Sequence, residues 1–128
     1  MSHFTPERDR ALFGCQCTRS GCDAPPVSDT LVARLNMLRD RLGRPLVVTS
    51  GPRCEYWNKK QGGKPNSDHR TGDGADLACV TSAQRDELLE CIYRQPRLFH
   101  RVGIGPNFIH VGLTTHNAGR VTWTYYGS

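Results

Sequence analysis

Two histidines and an aspartate are the residues of this 128-residue chain best suited to do chemistry. One stretch reads Asn66-Ser67-Asp68-His69-Arg70-Thr71-Gly72-Asp73-Gly74-Ala75-Asp76. His69 closes a loop and Asp76 lies just inside a strand. Gly72 and Gly74 between them let the backbone fold back tightly, so that imidazole and carboxylate converge. Zinc accepts both donor types at roughly 2.0–2.2 Å. A third donor comes from Phe108-Ile109-His110-Val111-Gly112-Leu113. A period of two turns Ile109, Val111 and Leu113 toward a core and Phe108, His110 and Gly112 the other way. Gly112 leaves space beside the His110 ring. Three protein donors with an open fourth position are the pattern of a catalytic zinc. On spacing alone, loop histidines and a turn-capping aspartate are an equal alternative.

A second set of metal-binding side chains is separate. Six cysteines are many for this length. Cys15, Cys17 and Cys22 cluster near the start, and Cys54 follows directly after Arg53. Together these four would complete a closed, structural four-thiolate zinc site that ties the N-terminal arm to the loop before His69. Two disulfides or free buried thiols are the alternatives, and four cysteines allow three pairings. Cys79 and Cys91 fall on an expected strand and an expected helix and read as buried side chains.

The elements that must position these groups follow from periodicity. Residues 1–27 form an irregular Cys-rich arm. Ser28 is a good N-cap, and Leu31, Val32, Leu35, Leu38 and Leu42 give an apolar helical face that ends at Gly43 and Pro45. Leu46 to Thr49 reads as a buried strand. Residues 51–74, rich in Gly, Lys, Asn, Asp and Pro, form a long irregular stretch of the kind that is more often functional than idle. Ala75 to Val80 is a second strand. Thr81 and Gln84 form a capping-box pattern opening a helix with Leu88, Leu89 and Ile92 on its apolar face and Pro96 beyond it. Val102 to Ile104, Phe108 to Leu113 and Val121 to Tyr125 are strands separated by Gly105-Pro106 and by a Thr-His-Asn-Ala-Gly segment. This order predicts an α+β fold, a small and mainly antiparallel sheet with helices on one side, as a single domain over residues 1–128. Trp123, Tyr125 and Tyr126 alternate along the last strand and are expected to belong to the sheet.

Composition bounds the function. Hydrophobic residues make up 37% and charged residues 23%, which excludes a disordered chain. No run of about 18 apolar residues is present, so no membrane insertion is expected. The N-terminal segment lacks an apolar h-region, so synthesis in a cytoplasm without a signal peptide is expected. The net charge of +5 suits an anionic partner, nucleic acid or a cell-wall polymer alike. The basic residues are scattered, and no helix concentrates Arg and Lys with base-reading residues, so no nucleic-acid partner is expected.

The pattern Ser67-x-His69-x-x-Gly72-x-x-Ala75-Asp76, followed far downstream by an apolar-x-His-x strand, resembles the D-Ala-D-Ala carboxypeptidase family of zinc metallopeptidases. That family includes bacterial D,D-dipeptidases and phage endolysins and shares the hedgehog/D,D-peptidase fold. Val48-Thr49-Ser50-Gly51-Pro52-Arg53, with Asn58, Gly62-Gly63 and Asn66-Ser67, resembles the family's Ser-Gly-x-Arg strand end and following loop. The likeness runs from about Leu31 to Leu113, and several spaced motifs in order are more specific than one. It implies a catalytic Zn2+ held by His69, Asp76 and His110, with Arg53 on the substrate carboxylate or the scissile carbonyl, which suits a guanidinium chemically. It implies hydrolysis of peptide bonds in peptidoglycan, with Ser67 as a further substrate contact. Tyr56, in the loop before the donors, is read equally as lining a substrate groove or as anchoring that loop in the core. The chain is expected to be a monomer. A phage-derived member would act at the cell wall or periplasm.

The sequence departs from the family at the general base. Members usually carry Glu three residues before the last ligand or Asp two residues after it, and here those positions are Asn107 and Gly112. Asp68, Asp73, Glu55, His100 and His116 are the available substitutes. His116 is preferred, because it follows the ligand strand in a Gly/Asn loop that can return over the site. A zinc-holding cell-wall-binding module of low turnover is the alternative reading.

Overall fold

The computed structural model describes residues 3–5, 8–9, 13–64, 67–113 and 121–125. Helix α1 (Asp29–Leu42) starts at Ser28, whose hydroxyl accepts the Leu31 N–H at 3.2 Å. It stops at Gly43, which takes the left-handed φ of 71° that a side chain would resist and donates its N–H to the Arg39 carbonyl. Strand β1 (Val48–Ser50) leads into helix α2 (Glu55–Lys60), a 3-10 turn (Asp68–Arg70) and strand β2 (Gly74–Ala78). Helix α3 (Ser82–Tyr93) then carries the expected capping box, with the Gln84 N–H on the Thr81 hydroxyl and the Thr81 N–H on the Gln84 side chain. Strands β3 (Arg101–Ile104), β4 (Phe108–Gly112) and β5 (Val121–Thr124) complete the fold.

The five strands form one sheet in the order β1-β2-β4-β3-β5. The first four pair antiparallel and β5 joins β3 in parallel, so the α+β expectation holds with a mixed rather than wholly antiparallel sheet. One face is the core. Ala75 and Leu77 of β2, Val102 of β3, and Ile109 and Val111 of β4 are fully buried there against Leu31, Leu35 and Leu38 of α1 and Leu88 and Ile92 of α3. Phe4 and Phe13 of the arm join the same cluster, their rings 6.0 Å apart in an edge contact. Alternation therefore sends Asp76, His110, Gly103 and Trp123 to the opposite face.

Two expectations change. Strand β1 begins two residues later than Leu46, although Leu46 is still buried in the core. The stretch 51–74 is not wholly irregular: it holds α2, capped by Cys54, and the 3-10 turn, capped by Ser67. Among the described residues no helix is long and apolar enough to cross a membrane.

Candidate metal centre

Strand register assembles the site. Ser50 pairs with Asp76, Asp76 with His110, His110 with Gly103, and Gly103 with Trp123. A single cross-strand row thus carries two of the three expected donors. The third, His69, is the middle residue of the 3-10 turn, which Ser67 caps by accepting the His69 N–H at 3.2 Å. The turn is docked on the β1–α2 loop: Arg53 N–H donates to the His69 carbonyl at 2.8 Å, and the Arg70 guanidinium returns a bond to the Arg53 carbonyl at 2.8 Å.

The donor atoms converge. Asp76 Oδ1 lies 3.2 Å from His69 Nε2 and 3.0 Å from His110 Nδ1. The outward nitrogens are both engaged, His69 Nδ1 with the Gly51 carbonyl at 2.7 Å and His110 Nε2 with Asp68 Oδ2 at 2.8 Å. These outer partners are acceptors only, so they assign the ring protons to His69 Nδ1 and His110 Nε2. Two imidazole lone pairs and a carboxylate oxygen then face one another, an arrangement that a cation satisfies and that neutral groups leave repulsive. Tetrahedral coordination with bonds of roughly 2.0–2.1 Å needs donors about 3.3 Å apart, close to the spacings observed. The set fits zinc, with His69, Asp76 and His110 as the holders.

Protons on His69 Nε2 and His110 Nδ1 can take the place of the cation, and the contacts to Asp76 are then hydrogen bonds. Burial alone would raise the Asp76 carboxyl, but hydrogen bonds from His110 and His69 outweigh it and hold the group well below the usual carboxylate range. Burial pushes His69 down. Burial also pushes on His110, yet the Asp68 and Asp76 carboxylates win and raise it.

Asp68 explains two glycines. Gly74 and Gly112 are cross-strand partners, and a Cβ on either would run into the Asp68 side chain. The paired glycines open a hole in the sheet's surface, and the Asp68 carboxylate fills it, held by His110 and by Arg101 Nε at 3.0 Å. A carboxylate therefore stands where a side chain at position 112 would be, delivered from position 68 instead. Gly74 serves this close approach rather than chain reversal, whereas Gly72, at φ 78°, does turn the backbone.

A cleft of about 830 Å³ opens over the donors, lined among others by Arg53, Lys64, Arg101, Phe108, Trp123 and Tyr125. Arg53 is buried and reaches Asp76 Oδ2 at 3.4 Å, Asn58 Oδ1 at 3.4 Å and Ser50 Oγ at 3.2 Å. Ser67 lines the same cleft. Trp123 was expected only to belong to the sheet. Its ring stands 5.6 Å from that of His110 and beneath the Arg101 guanidinium at 4.6 Å, in space that a Cβ on Gly103 would occupy.

Other expected site residues go elsewhere. Tyr56 lies on α2 under the Arg19 guanidinium, 3.9 Å from its ring centroid, beside the cysteines rather than in the cleft. Among the described residues Asp68 and Asp76 are the carboxylates that line the cleft, so Asp73 and Glu55 are not brought there, and neither is His100. His116 lies outside the described residues. Cys15, Cys17, Cys22 and Cys54 do come together, their sulfurs within 4.8 Å of one another. Cys79 is buried, and Cys91 is partly so.

A family model described as Peptidase M15 matches residues 3–112, most of the chain. The chain belongs to the M15 peptidase family. M15 peptidases are zinc enzymes, and the His69, Asp76 and His110 donor set is compatible with that chemistry. The match spans the cysteine-bearing arm and all three donors and ends at the last residue of β4. No curated protein matches the chain significantly.

Proposed function

We propose that the chain hydrolyses peptide bonds of bacterial peptidoglycan, as a D-Ala-D-Ala carboxypeptidase or an endolysin-type endopeptidase, and that it acts as a monomer at the cell wall or periplasm. The observation that carries the reading is the convergence of two imidazoles and one carboxylate on the floor of a cleft, three donors with the cleft side open. Zinc held there supplies a Lewis acid and lowers the pKa of a bound water to about 7.

The chain's own residues supply the rest. Arg53, Lys64 and Arg101 give the cleft positive charge, which suits the free carboxylates of stem peptides. Phe108, Trp123 and Tyr125 form an aromatic wall for the apolar parts of the peptide. Burial raises the Tyr125 phenol, which keeps it protonated and able to donate a hydrogen bond at neutral pH. Arg53 faces the site from the ligand side and is the group nearest Asp76 for orienting a carbonyl or carboxylate. Asp68 holds the His110 Nε2 proton and so fixes which nitrogen of that ring is free for the metal.

A second reading, a zinc-holding wall-binding module of low turnover, is favoured by one specific observation. Asn107 and Gly112 stand where a carboxylate base would be expected, and Asp68 is already bonded to His110 and Arg101. Loss of acid–base assistance costs about 10²–10⁴-fold in rate. Incubation with purified peptidoglycan and mass spectrometry of the released material decides between them. Released D-alanine identifies carboxypeptidase action, and opened cross-links or shortened stems identify endopeptidase action. Either must vanish on chelation and in His110→Ala. Retention on the polymer without any product selects the binding module.

A further inference from the structure

The arm and the β1–α2 loop bring a second donor set together, away from the cleft. Cys15, Cys17, Cys22 and Cys54 are all free thiols, and their sulfurs lie within 4.8 Å of one another. Cys15 and Cys54 sulfurs are 3.6 Å apart, well beyond the disulfide length of about 2.05 Å. Around zinc, with bonds of about 2.3 Å, the edges of a sulfur tetrahedron are about 3.8 Å. The spacing suits four ligands sharing one ion better than two covalent pairs.

The backbone is arranged for sulfur that carries charge. The Cys54 N–H points at Cys15 Sγ, the Trp57 N–H at Cys54 Sγ and the Arg19 N–H at Cys17 Sγ, each at 3.4 Å. Hydrogen bonds to an ionised acceptor are the stronger kind, and they stabilise thiolate over thiol. The loop from Cys17 to Cys22 also bends in a costly way. Thr18 sits at φ 58°, where a β-branched residue is an outlier, and Gly21 at φ 75°. Such backbone persists where surrounding contacts over-determine it. A chain wrapped around an ion meets that condition.

We infer that Cys15, Cys17, Cys22 and Cys54 hold a structural zinc ion that clamps the N-terminal arm to the loop carrying Gly51 and Arg53. Four thiolates fill a tetrahedral shell and leave no open position, so this ion has a structural role. The four thiols release their protons to solvent as the ion binds, and no redox change is involved. The clamp bears on the other site through three residues. Gly51 accepts from His69 Nδ1, Arg53 N–H holds the His69 carbonyl, and Cys54 follows directly, capping α2. The arm adds one further tie, from the Gln16 amide to the Thr49 carbonyl at 3.0 Å.

The test is metal speciation on the full chain purified under reducing conditions. Elemental mass spectrometry should find about two equivalents of zinc per chain. The double variant His69→Ala with His110→Ala should keep one of them, and Cys17→Ser should lose that same one. If Cys17→Ser does not fold, the cobalt-substituted double histidine variant, with every cysteine intact, remains decisive. Thiolate-to-cobalt charge transfer gives strong near-ultraviolet absorption that imidazole and carboxylate ligands do not give, and it should be present. Its absence, with zinc content falling to nothing in the histidine variant, would overturn the inference. So would peptide mapping that finds the four cysteines joined as disulfides in protein never exposed to oxidant. Neither result touches the peptidase reading, which stands or falls on the histidine site.

Discussion

The two donor clusters of this chain are built in opposite ways. His110 and Asp76 sit on adjacent paired strands, and their separation is fixed by the register of strands whose other face carries the core residues Ala75, Leu77, Ile109 and Val111. Each histidine is braced from behind, one by a backbone carbonyl and one by a buried carboxylate. The cysteines come from an arm and a loop with little regular structure around them, and Cys22 is exposed. In the first cluster the sheet fixes the donors and leaves one side open to the cleft. In the second, the inferred ion would hold the segment in shape. Preorganised donors with an open side suit chemistry on a substrate, whereas a closed set on loops suits fastening.

Selective metal removal should separate the clusters most sharply. Mild chelation is expected to strip the three-donor site and abolish peptidoglycan hydrolysis while zinc held by four thiolates persists, and added zinc should restore activity. Loss of both ions together, measured by elemental analysis alongside hydrolysis, would erase the distinction. The next largest effect is expected from Gly112→Asp. It restores a carboxylate of the kind the family usually carries, yet its side chain collides with Asp68 in a packed interior. Overpacking of this kind costs about 1–3 kcal/mol. Denaturant unfolding should show that loss, and combining the change with Asp68→Gly should recover most of it. A neutral Gly112→Asp would mean that Asp68 does not occupy the hole.

Asp68→Asn sharpens the bracing argument. It leaves the shape but weakens the hold on the His110 Nε2 proton, and a change of this kind lowers metal affinity about 10–100-fold. Competition against a zinc-binding dye reads it directly, and unchanged affinity would show that the strands alone suffice. The smallest effect belongs to Thr81→Ala, far from either cluster. Loss of the α3 cap should cost about 1 kcal/mol in unfolding with zinc content unchanged. A fall in zinc there would tie the site's geometry to global stability instead of local bracing.

Much of this was legible in the sequence for a physical reason. The apolar periods of α1, α3 and β4 are set by burial against one core, so Leu31, Leu35 and Leu38 announce a helix, and Ile109 and Val111 announce a strand face. The donors were legible because the pattern from Ser67 to Asp76 and the His110 strand resemble a zinc peptidase family, whereas their spacing alone left a metal site open. What escaped depends on pairing across strands. Nothing in the linear order shows that Gly74 and Gly112 are partners and that Asp68 fills the gap they leave. Trp123 read as an ordinary sheet residue, because its position over His110 follows from parallel pairing of β5 with β3 and from the missing side chain at Gly103. Helix α2, six residues long, is too short to show a period, so Tyr56 was expected in the cleft when α2 carries it to the cysteines.

If His69, Asp76 and His110 together hold one zinc ion in an open site, removing any one of them removes that same ion. Zinc stoichiometry of His69→Ala, Asp76→Ala and His110→Ala, measured beside wild type on folded protein, tests it most directly. Each substitution should lose the same single equivalent and leave any cysteine-held zinc in place. Wild-type zinc content in all three variants would contradict the account, since the metal would then belong to the cysteines alone.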